Sequence, residues 1–442
     1  MKESKKIFAK YVSLNIMGMI ALSCYILADT FFVANGIGPD GLTALNLAIP
    51  IYSFINGSGL MIGIGGSTKY SILKAEKKHM EANKAFTQTL YLGVVLSCVF
   101  LLIGFLFVEK LTLLLGADAT VFDMTYTYIK IMLFFSPAFI CNNIVICFVR
   151  NDGNPALSMF ATSLGSFTNI VLDYLFIFPC QMGILGAVVA TGFAPIVGLL
   201  ISSRHFIARR KTKNRDWACV HPVKATPSAT ACINICSLGV SSLITELASG
   251  IVMIVFNLII LKLSGNVGVA AYGIIANLSL VVTSIFTGIA QGIQPIVSRA
   301  YGAGDTTTIR TYFRYAMTLS TALAIGIYLI VSFGHVPLIQ AFNDTGNPEL
   351  FQIAKTGIYL YFTAFIFVGM NIISSSLFGA VNRPIPAFIL SIMRGFAVII
   401  PVVFALSALL GMAGVWLSFP ATEAITGVVA GYLMWKFFKL NI

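Results

Sequence analysis

Twelve long apolar runs divide this chain of 442 residues, and they limit the folds it can adopt. A run of about 20 apolar residues is long enough to cross the hydrocarbon core of a bilayer as an α-helix. We therefore predict an all-α membrane protein with twelve transmembrane helices. The predicted spans are 11–34, 42–66, 86–108, 128–149, 156–179, 183–203, 229–261, 269–295, 315–334, 356–379, 386–408 and 413–435.

The distribution of charge predicts the orientation of the spans. Only 10% of the residues are charged, and the net charge of +12 comes from Lys and Arg in the loops, so a nucleic-acid partner is not expected. Of the 28 Lys and Arg residues, 23 fall on the side of the N-terminus, four fall on the opposite side, and Arg394 lies inside a span. Loops rich in Lys and Arg stay in the cytoplasm. We therefore expect a monomeric, multi-pass protein of the cell membrane, surrounded by lipid, with both termini cytoplasmic.

The longest and most basic loop, Arg204–Lys224, falls at the middle of the chain and separates two sets of six spans. We predict two pseudo-symmetric six-helix bundles, at 1–210 and 227–442, joined by a cytoplasmic basic linker at 211–226. Both sets begin on the same side, so the repeat would be parallel, with its axis along the membrane normal.

Internal similarity between the two sets is weak but ordered. Aligning Gly41 with Gly268 gives six identities in 46 positions, which run from the loop after the first span of each set to the start of its third span. Later matches at the start of the sixth spans pair Gly183 with Gly411 and Gly186 with Gly414. A substrate path is expected between or within the two bundles.

Four acidic side chains lie inside the apolar spans, at Asp29, Asp173, Glu246 and Glu423. A carboxylate in a bilayer is costly and is usually retained because it carries ions, protons or a cationic substrate. Four acids against one intramembrane arginine, Arg394, predict a cavity that attracts small organic cations.

Depth in the membrane groups Asp29 and Asp173 with Asn169 and Thr191. The two acids and Thr191 fall within about two helical turns of the outer boundary, and Asn169 precedes Asp173 by four residues on the same helix face. Two carboxylates, an amide and a hydroxyl at one depth could bind Na⁺ through oxygen or share a proton, since burial favours the protonated form. The alternative is that these groups only join helices by hydrogen bonds.

Glu246 and Glu423 lie near the middle of spans in the second half. Either could be a second ion site or a contact for a cationic substrate, and the alternative for either is a structural ion pair with Arg394. Asn257 and Gln291 are further polar positions that could line a cavity, although such residues more often join helices.

Other chemistries lack the residues they need. The sequence contains no Ser/His/Asp, Cys/His or metal-ligand constellation that would indicate an enzyme, and no loop is long enough for a nucleotide-binding domain. Four histidines near predicted loops, including His205, are expected to be solvated.

We expect no cofactor, and we expect transport to be coupled to an H⁺ or Na⁺ gradient. The alternatives are a flippase for a lipid-linked oligosaccharide or another amphiphile, which should have a cationic lumen, and a channel.

Several segments together resemble the multidrug and toxic compound extrusion (MATE) family, especially its DinF-like and MepA-like branches. The similar segments, in order along nearly the whole chain, are Ala28–Val33, Asn169–Phe178, Gly183–Thr191, Ala271–Gly273, Gln291–Pro295 and Ser298–Asp305.

The resemblance implies two six-helix bundles around a V-shaped cleft, and export of organic cations in exchange for H⁺ or Na⁺ by alternating access. It also implies that Asp29, Asn169, Asp173 and Thr191 form the coupling network, which is the set that depth had already grouped. Asp152 resembles a cytoplasmic-side acid of the family; the alternative is a solvated loop charge.

Overall fold

The computed structural model describes residues 2–210, 220–340, 342–343 and 346–440. Most of the predicted basic linker, 211–219, lies outside the described residues. Within the described ranges all regular structure is helical. The helices are α1 (Lys2–Gly36), α2 (Pro39–Ala75), α3 (His79–Leu106), α4 (Val108–Leu114), α5 (Phe122–Phe134), α6 (Ser136–Asn151), α7 (Pro155–Ile177), α8 (Gly183–Arg210), α9 (Ala229–Gly302), α10 (Thr306–Phe333), α11 (His335–Gln340), α12 (Pro348–Tyr361), α13 (Phe365–Ala380), α14 (Pro384–Ile392), α15 (Ile399–Leu410) and α16 (Met412–Leu440).

Helix α9 contains two membrane spans. Its 74 residues would extend about 110 Å if straight, several times the thickness of a bilayer. The backbone breaks at Gly265, where φ is 60° and ψ is −156°. Phe256 and Tyr272, on either side of the break, stack with ring centroids 5.5 Å apart, so the two limbs fold back on each other.

Counted in this way, the described residues form twelve spans, as predicted. Ten helices or joined helix pairs are long and apolar enough to cross a membrane, and the bent pair α5 and α6 makes an eleventh span. Dividing α9 at Gly265 gives the twelfth. The predicted fourth span, 128–149, is therefore a bent pair with a 46° angle rather than one straight helix.

Equivalent backbone features recur in the two halves and confirm the pseudo-symmetry. Gly38 ends the first loop of one half with φ 95°, and Gly265 does so in the other with φ 60°. Gly183 and Gly411, which begin the sixth span of each half, have φ of 59° and 58°. Glycine adopts these left-handed conformations without steric cost. The short helices α4 and α11 also follow the third span of each half.

The two halves touch through α1, α2 and α9. Helix α1 packs against the second limb of α9, and α2 packs against the first limb, as a two-fold axis requires. The backbones approach so closely that a Cβ at Gly65 would meet the carbonyl of Ile235, and one at Gly239 would meet that of Met61.

We call the end of the molecule where α1 begins and α2 ends the basic end. Contacts between the halves run from this end to about mid-depth, where Gly250 lies near Ile49 and Ser23 bonds Ser284. Beyond that level, none of the hydrogen bonds among the described residues joins the two halves. The halves therefore meet at the basic end.

Candidate functional site

Asp29 on α1 and Asp173 on α7 lie side by side inside the first half. Asp29 is 7% exposed and Asp173 is fully buried, and their carboxyl groups are neighbours that interact with each other. An ionised carboxylate can only accept, so a hydrogen bond between the two requires one proton held by the pair. The packing of α1 on α7, and of α7 on α8, positions both side chains.

Asn169 and Thr191 complete this cluster. With its orientation set by its partners, the Asn169 amide nitrogen donates to Asp173 Oδ2 at 2.9 Å, and the amide oxygen accepts from the Thr191 backbone N–H at 3.2 Å. The Thr191 hydroxyl donates to the carbonyl of Ala187 at 3.0 Å. The structure therefore brings together the four residues that depth had grouped. We call them the carboxyl-pair site.

Oxygen atoms of the carboxyl-pair site remain available. Asp29 Oδ1 and Asp173 Oδ1 are buried and accept no hydrogen bond from the described residues. No described Lys, Arg or His lies within 4 Å of either carboxylate. Buried polar atoms are normally satisfied, and exceptions often have a function. This set of oxygens can take up a proton or a hard cation, because both bind carboxylate and amide oxygens.

Three tyrosines adjoin the carboxyl-pair site, and the sequence analysis missed them. Tyr128 on α5 lies beside Thr191 and faces both carboxylates. Tyr25 precedes Asp29 by one helical turn, and its hydroxyl lies 2.9 Å from the hydroxyl of Tyr52 on α2. The spacing of four residues between Tyr25 and Asp29 was the available signal, since it places both on one helix face.

Glu246 lies between the halves and is not paired with Arg394. It is half-buried on the first limb of α9, and Asn56 Nδ2 donates to its Oε2 at 3.3 Å. The Asn56 side chain in turn accepts from Asn143 Nδ2 at 2.9 Å. Asn257 is half-buried three helical turns farther along the same face of α9, and no described hydrogen bond joins it to Glu246.

Glu423 has the structural pairing that the sequence left open. Its carboxylate is 1% exposed and accepts from Arg394 Nε at 2.9 and 3.0 Å, and from Asn371 Nδ2 at 2.7 Å. Arg394 lies on a π-helical turn between α14 and α15. The cluster is inside the second half, and each carboxylate oxygen has a partner.

Gln291 belongs to the contact between the halves. Its Oε1 accepts from Arg150 Nη1 at 2.5 Å, and the same nitrogen donates to Asn15 Oδ1 at 3.0 Å. Arg150 is only 3% exposed, although its position in the sequence suggested a loop. The structure therefore does not bring Gln291 together with the carboxyl-pair site.

Asp152 is not a solvated loop charge, and His205 is not a solvated histidine. Both are 4% exposed and lie 2.9 Å apart. Lys74 and Tyr70 donate to Asp152 at 2.6 and 2.7 Å. Burial alone would raise the pKa of Asp152, but the bonds from His205, Lys74 and Tyr70 hold that pKa well below its usual range. The hydropathy of the spans gave no sign that these loop ends are covered.

A comparison with known protein families shows which family this chain belongs to. The MatE family model matches residues 15–175 and 242–429, which is most of both halves. The chain belongs to the MatE family. It is therefore a multi-pass membrane transporter.

Individual relatives of this MatE protein are distant but match over nearly their full lengths. The multidrug export protein MepA of Staphylococcus saprophyticus is 24% identical over 416 residues, covering 94% of this chain and 90% of that protein. MepA of Staphylococcus aureus is 23% identical over 415 residues, with the same coverage.

Solved structures of low sequence identity share the fold. A MATE transporter in complex with MaL6 has a TM-score of 0.91, and an outward-facing multidrug resistance MATE transporter of the MOP superfamily has 0.90. A MOP superfamily transporter from Pyrococcus furiosus, described as having a binding pocket of reverse polarity, has 0.89. Each is 20% identical, and each match covers 99% of this chain and 96% of that one.

Proposed function

We propose that this MatE protein is a secondary active multidrug exporter that exchanges small organic cations for H⁺ or Na⁺ by alternating access. The observation that carries the proposal is the carboxyl-pair site. Two buried carboxyl groups lie together without a basic partner among the described residues, and each has an oxygen that accepts no described hydrogen bond.

The proposed coupling ion binds at Asp29 and Asp173. A proton would neutralise the pair, and Na⁺ would be held by the same two carboxylates with the oxygens of Asn169 and Thr191. In either case the bound ion reduces the negative charge that attracts an organic cation. Ion and substrate therefore compete, and each must bind the two conformations with different affinity for exchange to occur.

The polar groups beyond Asp29 extend this site toward the other half. The Tyr52 hydroxyl contacts that of Tyr25 and lies near enough to both Asp29 and Glu246 to interact with their charges. We assign Glu246 to substrate or second-ion binding, because it is half-buried where the halves part and has no basic partner among the described residues. Asn257, on the same helix face, would extend that wall. Glu423 is the weaker assignment, because Arg394 already neutralises it.

The basic end is assigned to the cytoplasm, because the Lys and Arg residues concentrate there. The halves meet at that end, so the conformation described would be open to the outside. The MepA relatives are named as multidrug export proteins, which supports drug export.

The second candidate is a flippase for a lipid-linked oligosaccharide or another amphiphile, which would need free cationic groups in its lumen. The arginine inside a predicted span, Arg394, donates to Glu423. Arg150 has no acidic partner among the described residues, but it lies where the halves are in contact rather than where they part.

The test is efflux of a fluorescent organic cation from proteoliposomes under an imposed pH gradient or, separately, an imposed Na⁺ gradient. We expect one gradient to drive efflux by the wild type, and the Asp29→Asn/Asp173→Asn variant to lose it. If the wild type moves no cation under either gradient, exchange is rejected, and scrambling of a labelled lipid becomes the next measurement. Steady single-channel currents would indicate a channel.

A further inference from the structure

Arg150 is a buried guanidinium without an acidic partner among the described residues. It lies in the last turn of α6 and is 3% exposed. Its Nη1 donates to the amide oxygens of Asn15 and Gln291, and Nη2 contacts Cys147 Sγ at 3.7 Å. Its Nε has no hydrogen-bond partner in the described structure. All of these partners are neutral, so the full positive charge remains.

A buried charge of this kind is expensive. Removing an ion from water carries a large free-energy cost, and neutral hydrogen bonds recover only part of it. The C-terminal end of α6 attracts a cation, but this dipole interaction is weak compared with that cost. Asp152, two residues along the chain, already accepts from Lys74 and His205. A neutral glutamine could make similar contacts, so hydrogen bonding alone does not explain an arginine here.

Arg150 lies where its positive charge can act on cations that move between the halves. Asn15 is on α1 and Gln291 is on the second limb of α9, so the guanidinium lies at the contact between the halves. About two turns beyond Gln291 on α9, toward the basic end, a second guanidinium, Arg299, donates to the Asn151 carbonyl at 2.5 Å. A cation moving between the halves toward the basic end would meet two positive charges in succession.

We propose that Arg150, supported by Arg299, is an electrostatic seal that keeps cations from leaking past the closed end of the transporter. Glu246 between the halves and the carboxyl-pair site inside the first half attract cations, and the buried arginine blocks their passage toward the basic end. A fixed positive charge in a narrow, poorly solvated place repels protons and metal cations strongly. The inference rests on the proposed function, in which cations occupy the cleft.

The test measures passive leak through the full chain in liposomes, without substrate. Proton entry is followed with an internal pH dye and chloride entry with a chloride-quenched dye, for wild type, Arg150→Gln and Arg150→Lys. Arg383→Gln is the matched control, because it removes one positive charge from an exposed position at the same end. We expect Arg150→Gln to raise proton leak about tenfold or more, equivalent to about 1.4 kcal/mol off the barrier. Chloride leak should stay at the wild-type level. For Arg150→Lys and Arg383→Gln, proton leak should also stay at the wild-type level.

Charge selectivity separates a seal from a structural role. Equal rises in proton and chloride leak would show loosened packing and overturn the proposal, as would a proton-tight Arg150→Gln or an Arg150→Lys that leaks as much as Arg150→Gln. If Arg150→Gln does not fold, Arg299→Gln tests the same claim. We expect this variant to show a smaller leak that is selective for cations. A proton leak at the wild-type level would contradict the proposal. Failure of the proposed function would appear elsewhere, as a wild type that exchanges no organic cation.

Discussion

The two halves of this transporter share one helical frame but treat their buried carboxylates in opposite ways. In the first half, Asp29 and Asp173 lie together with no basic partner among the described residues. In the second half, Glu423 accepts from Arg394 and Asn371 and is neutralised. The offset that pairs Gly38 with Gly265 brings Asp29 onto Phe256, which stacks on Tyr272.

This difference shows that the repeat determines where the helices lie, whereas individual side chains determine what each half does with its buried carboxylates. A carboxylate paired with a guanidinium resists taking up a proton or another cation, whereas two adjacent carboxylates are stabilised by a bound cation. We therefore expect the ion dependence of transport in the first half and a fixed structural pair in the second. The following predictions test that division.

The largest expected effect is on coupled transport. Asp173→Asn should reduce gradient-driven cation efflux to the level of protein-free liposomes, because the amide cannot take up the coupling ion. Glu423→Gln is the matched change in the second half and should keep its dependence on the same gradient. Both are measured in proteoliposomes with equal protein content. The reverse pattern, with Glu423→Gln uncoupled and Asp173→Asn active, would reject the division between the halves.

The next effect is on stability, in the second half. Arg394→Gln leaves Glu423 buried without its counter-charge and should cost about 3–5 kcal/mol of folding free energy. The double variant Arg394→Gln/Glu423→Gln should recover part of that loss, because no unpaired charge remains. Thermal unfolding of the purified variants in detergent measures both. Additive losses in the double variant would show that the two side chains do not act as a pair.

The same change in the first half should have a much smaller effect on stability. Asp29→Asn removes a carboxylate that has no counter-charge, so the unfolding free energy should stay within about 1 kcal/mol of wild type or rise. The same thermal unfolding assay applies. A loss as large as that of Arg394→Gln would mean that the carboxyl pair is a structural element of the fold.

The smallest effect concerns Asp152, in the turn after α6. Its pKa in the folded protein is lowered, so ionised Asp152 contributes its full stabilisation above about pH 4, the pKa region of the unfolded chain, and this contribution is lost progressively as the pH falls from there toward the lowered folded pKa. Asp152→Asn should therefore lower the melting temperature at pH 7 but by less near pH 2. Exposed Asp40→Asn serves as the control and should change little at either pH. An equal loss at both pH values would contradict an ionised Asp152.

The sequence predicted the frame and the carboxyl-pair site because both depend on local features. Hydropathy marks the spans, and counting along α1 and α7 places Asp29 and Asp173 at one depth. Which side chains pair between distant helices could not be predicted in the same way. Whether Arg394 joins Glu246 or Glu423 depends on how α16 packs on the π-helical turn, which no single span reveals.

The burial of residues at the basic end could not be predicted from single spans either. Arg150, Asp152 and His205 fall at the ends of apolar runs, where hydropathy predicts contact with water. They are buried because other segments cover them. Helix α8 continues to Arg210, beyond its predicted end at 203, and the second limb of α9 places Gln291 on Arg150. Long-range packing of this kind requires the structure.

Competition between ion and substrate at the carboxyl-pair site is measured most directly as the release of the coupling ion when an organic cation binds. Purified protein in weakly buffered detergent solution is titrated with a fluorescent organic cation while a pH dye or a Na⁺ electrode records the ion that leaves. We predict that cation binding releases H⁺ or Na⁺ from the wild type and from Glu423→Gln, and that Asp29→Asn and Asp173→Asn release none. Cation binding that releases neither ion from the wild type, or release that persists in both aspartate variants, would contradict the account.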